Sequence, residues 1–201
     1  EEIALDLAHV ARFRNALELR NDAPDSPLDG ALSFEFKLLA FDEITGKPTT
    51  APLPKSDDGD PLIEAGTRLV IEITNHSEKP LYLGLFYFSP DQEVALFWPQ
   101  IPGSHQAITP GKTLALGKSA RKSDQITADL PPGAVEALDT YKLFAAVADV
   151  NYELMGQEPL RHPFSAPRAV GAQGGDPNTL DLLLAQAMGA TLLTEQEYRD
   201  L

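Results

Sequence analysis

The residues in this sequence best suited to chemistry are a carboxylate cluster, a glycine-rich stretch, four histidines and a run of aromatic side chains. Asp57, Asp58 and Asp60 flank Gly59, and a calcium ion would have to use their oxygens. The alternating ligand spacing and distal glutamate of an EF-hand are missing, so the cluster reads as a solvated loop and no metal is assigned. Gly171, Gly174 and Gly175 precede a helix-like segment, as a phosphate cradle would. However, no lysine follows, and the anion Asp176 already occupies the positive end of that segment. The stretch therefore reads as a connector.

His9, His76, His105 and His162 are far apart and lack paired metal spacing, so each reads as a surface residue. Ser104-His105 places a hydroxyl beside an imidazole. Adjacent side chains on an extended chain diverge, and no Gly-x-Ser-x-Gly elbow holds them. Phe86, Tyr87, Phe88, Phe97 and Trp98 fall in consecutive strand-like segments. They would make a ligand platform or a partner-facing patch, although alternation along a strand sends at least half of them to a core. The chain of 201 residues has no cysteine, which removes thiolate metal sites, disulfides and cysteine nucleophiles. No cofactor is assigned.

Thirty Asp and Glu against sixteen Lys and Arg give a net charge of −14, which repels nucleic acid and anionic membranes. No segment reaches the roughly 20 apolar residues of a membrane-spanning helix. A cytoplasmic location is expected. The chain opens at Glu1 already on a helical period, so it reads as part of a longer protein whose N-terminal signal, if any, lies upstream.

The elements that must position these residues follow from periodicity. From Glu2 to Leu19, Ile3, Leu7, Val10 and Phe13 recur on one face of an amphipathic helix. Val10 and Phe13 are the expected interaction residues, because that face needs an apolar cover. Ala31 to Phe41 alternates as a strand, and Asp42 to Gly66 reads as a long exposed loop or insertion. Thr67 to Thr74 and Leu81 to Phe88 read as a hairpin, followed by strands at Glu93 to Trp98, Thr113 to Leu116 and Tyr141 to Val147. Asp176, Pro177 and the stripe through Leu180, Leu183, Leu184 and Ala187 predict a C-terminal helix over 176–189. The expected core includes Leu69, Ile71, Ile73, Tyr82, Phe86, Phe97, Leu114 and Phe144. Together these predict a single, mainly β domain spanning 1–201. Its parts are a leading helix (1–20), an antiparallel Ig-like β-sandwich (31–150) and the C-terminal helix.

Several segments carry a family resemblance. They are Gly66-Thr67-Arg68-Leu69-Val70-Ile71-Glu72-Ile73-Thr74-Asn75, Lys79-Pro80-Leu81-Tyr82-Leu83-Gly84-Leu85-Phe86, Val94-Ala95-Leu96-Phe97-Trp98-Pro99 and Ile108-Thr109-Pro110-Gly111-Lys112-Thr113. Together they resemble the β-sandwich found C-terminal to bacterial caspase-like (peptidase family C14) domains. Leu7 to Leu19 is similar to the helix leading into that domain, and the likeness runs from about Leu5 to Met188. The resemblance implies a non-catalytic accessory domain that positions the peptidase or recruits partners. Its partner would be the peptidase domain of the same parent chain or another protein. The family's His–Cys dyad has no counterpart here, since the chain has no cysteine. The resemblance assigns no role to 42–66 or 157–175. The residues themselves leave a second reading open, an independent module that binds peptide or carbohydrate at a sheet edge or on the aromatic patch.

Overall fold

The computed structural model describes residues 2–21, 26, 28–55, 61–101, 106–131, 133–160, 170–171 and 192–193. Helix α1 (Glu2–Glu18) comes first. The strands are β1 (Leu32–Phe41), β2 (Pro48–Pro52), β3 (Arg68–Asn75), β4 (Leu81–Phe88), β5 (Val94–Trp98), β6 (Ala107–Ile108), β7 (Thr113–Leu116), β8 (Ile126–Thr127) and β9 (Thr140–Ala146). They form two antiparallel sheets. A two-residue parallel pair, β10 (Val170–Gly171) with β11 (Leu192–Leu193), belongs to neither sheet. The fold is thus mainly β with one α-helix among the described residues, and 176–189 lies outside them.

The chain divides into two compact units: Pro27–Pro80 with Ile108–Ala137, and Glu1–Ser26 with Leu81–Ala107 and Leu138–Leu201. In the Pro27–Pro80 unit the strand order is β2-β1-β3-β7, and β8 continues along β3 beyond β7. Phe34, Phe36 and Leu38 face Ile73, Ile71 and Leu69 in register, and the three β3 residues are buried. On the opposite face Glu35 lies directly across from Glu72, a repulsive pair. Lys37 offsets it by donating to Glu72 at 2.6 Å and approaching Glu35 at 3.2 Å, which raises the lysine's pKa.

The segment expected to be a bare loop, 42–66, contains β2. Its alternation is hidden because an edge strand bounded by Pro48 and Pro52 needs pairing on one side only. The hairpin closes on Asp42, whose Oδ1 accepts from Thr45 N (2.7 Å), Thr45 Oγ1 (2.8 Å) and Ile44 N (3.1 Å). These donors, Thr45's amide foremost, hold the Asp42 carboxyl below its usual pKa. A second correction concerns β3 and β4, which are not a hairpin but belong to different sheets. The reason is Asn75, whose fully buried side chain folds the connection onto itself. Its Nδ2 donates to Lys79 O (2.8 Å) and Ile108 O (2.7 Å), while its Oδ1 accepts from Ser77 N (2.9 Å) and Ser77 Oγ (2.7 Å).

In the Leu81–Ala107 unit, β4 pairs with β5, β6 and β9. One face of β4 carries Gly84, Phe86 and Phe88 into a core with Ala16, Val94, Val150, Tyr152, Leu154 and Met155. Tyr152 lies flat over Gly84, and its hydroxyl donates to Tyr82 O at 3.0 Å. Of the expected core residues, Leu69, Ile71, Ile73 and Phe86 are buried, whereas Tyr82, Phe97, Leu114 and Phe144 are half-buried.

The inward face of α1 is rotated from the expected one. Leu7 is 64% exposed, while His9 and Ala16 are buried and Phe13 packs edge-on against Phe88 with ring centroids 5.6 Å apart. The side chain of Ile3 lies outside the described residues. Ala16 lets the helix approach the sheet closely, and the last turn is held from β9. There Lys142 Nζ donates to Leu17 O (2.6 Å) and Ala16 O (3.2 Å), a cation at the negative end of the helix. Burial, with a smaller contribution from Arg20, lowers the pKa of Lys142.

The β4–β5 connection is a three-residue loop in which Ser89 N bonds Glu93 O and Gln92 N bonds Ser89 O. Such loops place their last residue in the left-handed region. Gln92 occupies it at φ 69°, a conformation that costs a residue with a Cβ roughly 1 to 2 kcal/mol. Its Oε1 is buried with no hydrogen-bond partner among the described residues. Gln92→Gly is therefore expected to stabilise the protein by about 1 kcal/mol, after allowing for the freer unfolded chain. The urea midpoint should rise, and a fall of similar size would contradict this account of the turn.

Candidate functional site

The aromatic run divides between two faces of one sheet. Phe86 and Phe88 point into the core, while Tyr87 lies on the face that also carries Leu83 and Leu85. Tyr141 of β9 sits directly opposite Tyr87 in register, with ring centroids 5.2 Å apart. On the other side of β4 the register shifts, since Leu85 faces Trp98 but Phe86 faces Leu96. Phe97 is thus the extra residue of a bulge. Its ring meets Tyr141 edge-on at 5.6 Å. Three strands therefore contribute one ring each to a half-buried cluster, next to the buried Leu83 and Leu85. Trp98 is half-buried and precedes Pro99 through a cis peptide bond.

An exposed carboxylate borders these rings. Tyr87 Oη donates to Asp139 Oδ1 at 2.8 Å, from the residue immediately before β9. Burial raises the pKa of the Tyr87 phenol well above 10, and Asp139, through its hydrogen bond and its charge, adds to the shift. Tyr141 is pushed up to about 12, first by burial and then by the charge of Asp139.

This has a consequence for stability. Between the unfolded value near 10 and the higher folded values, the native state holds protons that the unfolded chain has lost. Stability then falls as pH rises, and the loss begins near pH 10. An alkaline titration of tyrosinate absorbance should show a late phase, close to unfolding, to which Tyr87 and Tyr141 contribute. Replacing both with phenylalanine should reduce that late phase. A late phase unchanged by the double replacement would contradict the burial of this cluster.

A second constellation joins α1 to the sheet. The Gln157 amide nitrogen donates to Gln92 O at 2.9 Å and lies 2.9 Å from His9 Nε2, which is 3.2 Å from Gln92 O. Gln157 is also held as a strand-like bridge to Val94, with both backbone bonds at 2.8 Å. The surface position expected for His9 is thus corrected: the ring is 5% exposed, and its Nε2 has a partner inside, either accepting from the Gln157 amide or donating to Gln92 O. The cluster ties the helix to the β4–β5 turn.

The other sequence candidates do not join either constellation. His76 is exposed, with Nε2 3.0 Å from Ser33 Oγ. Asp57, Asp58, Asp60, Ser104, His105, His162, Gly174, Gly175 and Asp176 lie outside the described residues. Among the described residues, no group of three His, Cys, Asp or Glu side chains is placed to hold a metal ion, and no helix is long and apolar enough to cross a membrane. Of the two interaction residues, Phe13 packs against the core of its own unit and Val10 is half-buried. Tyr141 and Asp139 were not singled out from the sequence. The signal for Tyr141 is the alternation of Tyr141, Leu143 and Ala145, which puts an aromatic in line with Tyr87 once strand pairing is known.

No family model, curated protein or solved structure matches the chain.

Proposed function

We propose that this chain is a non-catalytic interaction module, and that its contact surface is the face formed by Tyr87, Phe97 and Tyr141. The observation that carries this reading is the cluster itself. Three half-buried rings from three paired strands, bordered by an exposed carboxylate, make the kind of rigid, amphipathic surface on which protein contacts concentrate. The module is a single domain of 1–201 with an Ig-like β-sandwich and a C-terminal helix. The family resemblance supplies its setting, an accessory domain that positions a caspase-like cysteine peptidase or recruits partners for it. A cytoplasmic location belongs to the same proposal, because a chain without cysteine gains no disulfides from an oxidising compartment.

The setting is tested on the gene and on the purified chain. The gene is expected to encode a His–Cys peptidase domain ahead of this segment, and the chain alone is expected to cleave no peptide, ester or phosphate substrate. A gene without such a domain would leave the interaction face standing but remove the peptidase setting. Hydrolysis by the purified chain would overturn the non-catalytic reading.

The same rings also favour the second reading, an independent peptide- or carbohydrate-binding module, since aromatic faces stack on sugar rings as well as on side chains. An oligosaccharide that binds the wild type, but not Tyr141→Leu, would favour it over the accessory role.

A further inference from the structure

Resting on the interaction reading, we infer that the face of Tyr87, Phe97 and Tyr141 takes a basic segment of a partner protein, with an arginine or lysine side chain seated against the rings beside Asp139. Two independent features point to a cation. The first is the faces of the rings, which carry negative potential and attract guanidinium and ammonium groups within about 6 Å of a centroid. Three such rings lie together on this face, two with centroids 5.2 Å apart and two with centroids 5.6 Å apart.

The second is charge. Asp139 is exposed, and an ionised carboxylate offers about four acceptor positions, one of which accepts from the Tyr87 hydroxyl. The remainder suit the forked donors of an arginine. Asp91, also exposed, lies near enough for its charge to reach Tyr87. The whole chain carries −14, so a basic segment is drawn toward it at long range and an acidic one repelled. Lys142 does not compete for the site. It lies next to Tyr141 in β9, but its ammonium group is committed to the end of α1 and to the Phe144 ring, 5.5 Å from the centroid.

The test is a titration of the chain with a labelled peptide of alternating arginine and glycine at physiological salt, read by the label's fluorescence and by the NMR ring resonances of Tyr141. Neutral Gly-Ser and glutamate-rich peptides and cellohexaose serve as comparisons. The wild type should bind the arginine peptide in preference to the others. Tyr141→Leu and Phe97→Leu, which leave the charge unchanged, should each weaken binding about fivefold. Asp139→Asn, on an exposed side chain whose change leaves the fold intact, should weaken it about threefold. Glu43→Gln, an equally exposed carboxylate in the β1–β2 turn, should leave it unchanged.

Equal binding of the peptide to all four variants would mean simple attraction to the net charge, and would overturn the inference. If the basic peptide fails to bind while the neutral peptide or cellohexaose shifts the Tyr141 ring resonances, the inference falls but the interaction reading stands. If no probe shifts those resonances, both fall.

Discussion

Asn75→Ala is expected to remove about 3 to 5 kcal/mol of stability, a large share of the roughly 5 to 15 kcal/mol that holds a domain together. The Asn75 side chain is fully buried and makes four hydrogen bonds, two as donor and two as acceptor. Alanine leaves Ile108 O and the Ser77 amide facing an apolar methyl group, while Lys79 O keeps the Ser77 hydroxyl at 2.9 Å. The buried Ile108 carbonyl then loses its partner without regaining water. Asn75→Asp should do more damage, because it puts a carboxylate oxygen where Nδ2 had donated to two carbonyls. The neighbouring Thr74→Ala provides the contrast. It removes only the exposed bond to Thr113 Oγ1 and should cost less than about 0.5 kcal/mol. Urea unfolding of the three variants measures this ordering, and a cost below 1 kcal/mol for Asn75→Ala would show that the loop is held by something else.

Gly84→Val is expected to be comparably severe. A Cβ at this position would lie 2.5 Å from both Cγ and Cδ1 of Tyr152, inside any allowed contact. The ring must then move. Doing so breaks its hydroxyl bond to Tyr82 O and its edge contact with Phe86, whose centroid is 6.2 Å away. A loss of about 3 kcal/mol or more follows from overpacking combined with the lost contacts. The mechanism can be isolated with a double-mutant cycle of Gly84→Ala and Tyr152→Leu. Once the ring is gone the added methyl has room, so the double variant should be more stable than the sum of the single effects predicts. Strict additivity would show that Gly84 matters for a reason other than the ring above it.

Some elements are legible from pattern and length. Leu32 to Phe41 and Arg68 to Asn75 alternate with period 2, Leu81 to Phe88 is a continuous apolar run of strand length buried on both faces, and each is found within a residue or two of its expected bounds. β2 was illegible because an edge strand bounded by prolines carries no such signal. β6 and β8 were illegible because two residues cannot show a period. The pairing of β3 is hidden for a different reason: adjacency along the chain suggests a hairpin, but the connection is set by one buried asparagine that looks like an ordinary turn residue. The face of α1 does not follow apolarity alone. The helix buries His9, whose Nε2 has a partner in the Gln157 amide or Gln92 O, and Ala16, small enough to pack closely, and leaves Leu7 outside.

The same contrast governs the candidate site. Tyr87 and Phe97 stood out as aromatics, and alternation correctly divided Tyr87 from Phe86 and Phe88. Tyr141 and Asp139 lie more than fifty positions further along the chain than Tyr87. Only the β4–β9 register brings them to it. The bulge that turns Phe97 toward Tyr141 is likewise a property of pairing and not of composition.

The central claim, that the face of Tyr87, Phe97 and Tyr141 is where this chain meets a partner, is tested most directly by placing a photoreactive phenylalanine analogue at position 97. The experiment uses the protein in its own cells, and the cross-linked peptides are sequenced. A control probe goes at Ile44, a 95% exposed position in the β1–β2 turn. The account predicts adducts from position 97 to one defined polypeptide segment rich in arginine or lysine, lost when Tyr141 is replaced by leucine and absent from the Ile44 probe. Adducts no more frequent or specific at position 97 than at position 44 would contradict it.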